Sequence, residues 1–118
     1  MAGPLAGVRV IELAGLGALP FGTLKLADMG ADVIRVDRLA EVPEDPVARE
    51  YSSWDRGRRS IAVDLKHPEG VAAVLRLAGG ADVFLESFRP GVAERLGVGP
   101  ESVMARTPSI VYGRLTGW

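Results

Sequence analysis

The chain has 118 residues, 47% of them hydrophobic, a formal net charge of -1 and no cysteine. That size and balance fit one compact domain, residues 1–118, able to bury a core; they exclude a disulfide framework, a thiolate nucleophile and a cysteine metal site. The near-zero charge argues against general nucleic-acid binding, no apolar run reaches the length of a membrane span, and the start MAGPLAGVRVIEL lacks the features of a secretory signal, so a cytoplasmic location is expected.

Along the chain, short apolar runs alternate with helical periodicity. Val8 to Leu13 reads as a strand, and a Gly-rich turn follows over Ala14 to Leu19. Pro20 suits a first helical position and Gly30 the residue just past a helix end. Val33 to Val36 and Ser60 to Val63 make the second and third strands. Pro68 opens a helix whose Val71, Val74, Leu75 and Ala78 fall on one face, and Gly79-Gly80 closes it. Val83 to Leu85 is a fourth strand. Short helical turns follow over Pro90 to Leu96 and Pro100 to Arg106, and Ile110 to Leu115 is the last strand. Strands separated by helices imply a Rossmann-like α/β fold, a mostly parallel sheet with flanking helices. Only Leu39 to Trp54 breaks the rhythm; a connection of that length is usually functional or mobile.

Two features suggest chemistry. The turn Gly15-Leu16-Gly17-Ala18-Leu19-Pro20 nearly matches the dinucleotide fingerprint, and Asp37 ends the second strand about where a ribose-binding acid would sit. Pro20 replaces the last glycine, however, and Arg38 would sit poorly beside an NAD ribose. A turn that merely joins strand to helix is the better account.

The second feature is a set of cations that a parallel sheet gathers at one edge. Arg38 leaves the second strand, Lys66 the third, and Arg89 the fourth, with Arg95 shortly beyond. Such a rim suits a ligand carrying several phosphates. The plainer alternative is that these cations pair with Asp37, Asp64 and Glu86. Arg56, Arg58 and Arg59 precede the third strand, so they are expected to start at the opposite edge and to reach a ligand only if the long loop folds back.

The stretches VRVIEL, LADMGADVIRVDR, DRGRRSIAVDLKHPEG, ADVFLESFRPGVAERLGVGPE and IVYGRLTGW, in this order over nearly the whole chain, resemble the family III CoA-transferases (CaiB/BaiF type). VIRVDR, FRPG and RLTGW are most similar to the α-methylacyl-CoA racemase branch. The resemblance implies a Rossmann-like domain, an interlocked homodimer, and coenzyme A, as an acyl-CoA thioester, for the ligand. It implies CoA contacts at Arg38, at Val63-Asp64-Leu65-Lys66, at Ser87-Phe88-Arg89 and at Arg95, with no metal. In the racemases the histidine and aspartate that exchange the α-proton lie shortly after the TGW motif, and the transferases use an aspartate nucleophile further along. No catalytic residue is therefore expected before Trp118. His67, the single histidine, suits a cap at a helix start or a solvated loop. The expectation is an N-terminal CoA-binding portion of a racemase or transferase, inactive alone. A stand-alone CoA-binding module and an NAD-type domain are the alternatives.

Overall fold

A computed structural model of the protein describes residues 3–15, 17–42 and 55–116. In chain order these form β1 (Arg9–Leu13), α1 (Ala18–Asp28), β2 (Asp32–Arg38), a 3-10 turn (Leu39–Glu41), β3 (Arg58–Val63), α2 (Pro68–Gly79), β4 (Val83–Glu86), α3 (Val92–Leu96), α4 (Pro100–Arg106) and β5 (Val111–Arg114). All four ladders are parallel, in the order β3-β2-β1-β4-β5. The expected Rossmann-like sheet with flanking helices is what the chain forms.

The element boundaries differ from the sequence reading for local reasons. β2 extends to Arg38 because Asp37 and Arg38 stay in register with Ala62 and Val63 of β3. Polar side chains at a strand's carboxyl end remain in the ladder there even though the apolar run has stopped. β3 begins at Arg58, paired with Val33, two positions before the apolar pattern starts. α1 begins at Ala18, so Pro20 is its third residue, still within the first turn where a missing N–H breaks no intrahelical bond. α3 begins at Val92 rather than Pro90, and α4 spans the expected Pro100–Arg106. His67 does cap α2: its Nδ1 accepts the Glu69 backbone N–H at 3.1 Å. Of the other sequence expectations, those at Leu16, at positions 43–54 of the long connection, and at Gly117 and Trp118 lie outside the described residues.

Alternation along each strand divides the interior into two layers. Ile11, Leu13, Val36 and Phe84 pack on one face with Val74 and Ala78 of α2, Ala93 of α3 and Val103 of α4. Val10 and Val33 pack on the other with Leu26 and Ala27 of α1. No helix among the described residues is long and apolar enough to cross a membrane.

The chain builds β1, β2 and β3 outward in one direction, then crosses back to place β4 on the other side of β1. In open α/β sheets this reversal leaves a crevice beyond the carboxyl ends of the strands.

Candidate functional site

That crevice is a cavity of about 960 Å³. Gly15 and Gly17 of the β1–α1 turn line it, with Ser87, Phe88 and Arg89 from the exit of β4. The two exits approach closely: a side chain at Gly15 would collide with the Ser87 hydroxyl. A second cavity of about 580 Å³ lies beyond it, walled by the apolar Leu39, Val63, Leu65, Val92 and Leu96, with Asp64 and Lys66 also lining it. Arg38, Glu41 and Val92 line both, so the two cavities meet at the end of β2.

Arg38 shapes this junction. Its guanidinium lies over the Phe88 ring, 5.1 Å from the centroid, and its Nη1 is 3.8 Å from Glu41 Oε1. Phe88 is held in turn by Glu86, whose buried carboxylate accepts the Phe88 backbone N–H at 2.8 Å. The same carboxylate accepts from Arg114 Nε at 2.7 Å, and Arg114 also pairs with Glu94 of α3. The turn leaving β3 is fixed just as locally. Asp64 Oδ1 accepts the Lys66 backbone N–H at 3.0 Å, and α2 starts so close that a side chain at Gly70 would collide with the Asp64 carbonyl oxygen.

The sequence-selected residues therefore fall into two groups. Arg38, Val63, Asp64, Leu65 and Lys66 surround the second cavity, while Arg38, Ser87, Phe88 and Arg89 surround the first. Arg95 lines neither; it is exposed on α3, between the cavity-lining Val92 and Leu96.

The two edges of the sheet treat their cations differently. At the amino edge, Arg9 and Arg59 both pair with Asp32, at 2.9 and 2.7 Å, and Arg56 pairs with Asp28 at 2.9 Å. At the carboxyl edge the acids expected to neutralise the rim are engaged elsewhere. Asp37 pairs with Arg35 at 3.0 Å, a contact of charges without an aligned Nε–H bond, and Asp64 and Glu86 accept the backbone bonds just described. Lys66, Arg89 and Arg95 have no acidic partner among the described residues.

Arg58 departs from this division between the edges. Arg58 starts β3 at the amino edge, yet its side chain is sealed inside and lines the first cavity. Its Nη1 donates to Glu12 Oε1 at 2.9 Å and to the Thr23 hydroxyl at 3.0 Å, and that hydroxyl donates to Glu12 Oε2 at 2.7 Å. Asp55 lies beside this group and accepts from Arg35 at 2.6 Å. Burial disfavours the Arg35 cation, but the Asp55 hydrogen bond and the Asp37 charge outweigh it and hold the guanidinium charged. Nothing in residue spacing links Glu12 to Arg58; the one available signal was a carboxylate inside the apolar run VIEL, which a buried strand tolerates only with a partner.

Comparison with known proteins agrees with this architecture. The family model described as CoA-transferase family III matches residues 5–118. The chain belongs to that family. It is 47% identical over 114 residues to an α-methylacyl-CoA racemase of Mus musculus, covering 97% of this chain and 28% of the relative. It is 42% identical over 130 residues to a succinate–glutarate CoA-transferase of Agrobacterium fabrum, covering 98% of this chain and 32% of the relative. The crystal structure of the family member Rv3272 from M. tuberculosis superposes with a TM-score of 0.88 at 39% identity, over 99% of this chain and 33% of that one. The chain thus spans about a third of the length of these family members.

Proposed function

We propose that this chain is the CoA-binding part of an acyl-CoA racemase, which epimerises 2-methylacyl-CoA by α-proton exchange, with a family III CoA-transferase as the second reading. The cations Lys66, Arg89 and Arg95 at the carboxyl edge, which have no acidic partner among the described residues, carry the proposal, set against the paired arginines of the amino edge. Coenzyme A has a pyrophosphate and a 3′-phosphate, which suit guanidinium forks and an ammonium placed along one rim. The apolar cavity walled by Leu39, Val63, Leu65 and Leu96 suits its base, and the crevice at Gly15 and Ser87 suits the extended arm. The racemase reading is favoured over the transferase by the higher identity to the mouse racemase. In either reading the whole protein works as a homodimer in the cytoplasm, and its catalytic groups lie outside these residues.

NAD fits this edge poorly. The acid in the ribose-binding position, Asp37, is engaged by Arg35, and Arg38 stands beside it. Calorimetric titration of the chain with CoA and with NAD tests the proposal. Saturable binding of CoA, weakened by salt, with no binding of NAD is expected; the reverse preference would overturn it.

A further inference from the structure

Among the described residues, Glu41 is the one carboxylate that lines both cavities. The other described acids along the groove are engaged: Asp37 and Asp55 by Arg35, and Asp64 by the turn it closes. Glu41 instead faces a rim cation, Arg38, at 3.8 Å across one turn of 3-10 helix. Both side chains are more than half exposed, at 52% and 65%. An exposed pair at that separation is weak and readily exchanged. A phosphate group offers Arg38 more charge and a bidentate geometry, so it competes well for the same guanidinium.

We propose that Glu41 acts as a resident counter-ion at the junction of the two cavities, and that a phosphate of the bound ligand must displace it from Arg38. This rests on the CoA-binding reading and adds a determinant of affinity to it. While the site is empty, Glu41 holds Arg38 toward the end of β2, where Phe88 supports the guanidinium from below. When the ligand enters, Arg38 exchanges one anion for another, and the released Glu41 carboxylate remains close to the incoming phosphates. Both effects lower affinity, and both act through charge. The consequence is a site whose affinity is held below what its cations alone would give, which favours release of a spent CoA.

The test is calorimetric titration of the wild-type chain, Glu41→Gln, Arg38→Ala and the double variant with CoA, dephospho-CoA and pantetheine. Glu41→Gln keeps the shape of the side chain and removes its charge. It should bind CoA and dephospho-CoA about threefold to tenfold more tightly at 0.1 M salt, the size expected for an exposed charge contact plus a nearby repulsion. The gain should vanish at about 1 M salt, where charges a few ångströms apart are screened. It should also vanish in the Arg38→Ala background and with pantetheine, which has no phosphate. Unchanged or weaker CoA binding by Glu41→Gln would overturn the proposal while leaving the CoA reading intact. An equal gain with pantetheine would overturn it as well, since the effect would not be one of charge. Failure of every variant to bind CoA would remove both this inference and the reading beneath it.

Discussion

Glu12 and Arg58 stand 46 positions apart in sequence and meet at 2.9 Å with their side chains almost wholly withdrawn from solvent. The pair joins the central strand to the edge strand β3 past β2, and Thr23 ties α1 to it. Arg58 lines the crevice, so the shape of that crevice depends on this buried pair. Removing one partner would leave a buried charge uncompensated, at a cost of about 3–5 kcal/mol. Arg58→Met alone should therefore destabilise the fold by about that much in urea. Glu12→Leu combined with Arg58→Met should recover a large part of the loss, because a neutral apolar pair replaces a stranded carboxylate. A double variant no better than the single would show that the pair does not act as a unit.

The Gly70 position links the fold to the candidate ligand turn. Gly70→Ala must push the start of α2 away from the Asp64 carbonyl oxygen. Overpacking of this kind costs about 1–3 kcal/mol. The displaced turn carries Asp64, Leu65 and Lys66, so CoA affinity should fall along with stability. Gly79→Ala, where an added side chain meets nothing nearby, serves as the control and should leave affinity unchanged. Chemical denaturation and CoA titration on both variants check this.

Much of this arrangement was legible from residue order, and the reasons are physical. The helix over Pro68–Gly79 announced itself through Val71, Val74, Leu75 and Ala78, because burial on one side requires that period. The exits of β2, β3 and β4 were legible because a parallel sheet sends every carboxyl end to one edge, where Arg38 ends β2 and Lys66 and Arg89 follow β3 and β4 closely. What stayed hidden depends on contacts between distant segments. Arg58 looked like an amino-edge cation because position along a strand fixes where a side chain starts, while a long guanidinium stem decides where it ends. The commitment of Asp37 to Arg35 was equally hidden: residues two apart in a strand share a face, but several other arginines were available to the acid. The family resemblance singled out Phe88 as a ligand contact, but its place beneath Arg38 emerges only once β2 and β4 are placed on either side of β1.

Tyr112 carries a pH dependence of stability. Burial pushes its hydroxyl well above the ordinary tyrosine range, and the Glu86 charge adds to the shift. The fold therefore favours the neutral phenol, which donates to the Val98 carbonyl at 2.8 Å. A group whose folded value is raised contributes stability that is complete below its unfolded value of about 10 and declines as pH rises above it. Tyr112→Phe should cost about 1 kcal/mol near pH 8 through the lost hydrogen bond. The gap between the two proteins should then narrow steadily from pH 10 to 11.5, since only the wild type loses the tyrosine contribution. Urea denaturation at stepped pH would reveal this, and a gap that stays constant would contradict the assignment.

CoA binding by this chain depends most directly on the cations of the carboxyl edge. CoA should be titrated into the wild-type chain and into Arg38→Ala, Arg95→Ala and Arg76→Ala, each first shown to melt cooperatively. Arg38 stands at the meeting point of the two cavities and Arg95 on the helix that walls one of them, whereas Arg76 is exposed on α2 and lines neither. The predicted result is CoA binding that weakens about tenfold for Arg38→Ala and less for Arg95→Ala, as charge-assisted contacts to phosphate imply, and is unchanged for Arg76→Ala. Equal affinities for all four proteins, or no CoA binding by a folded wild type, would contradict it.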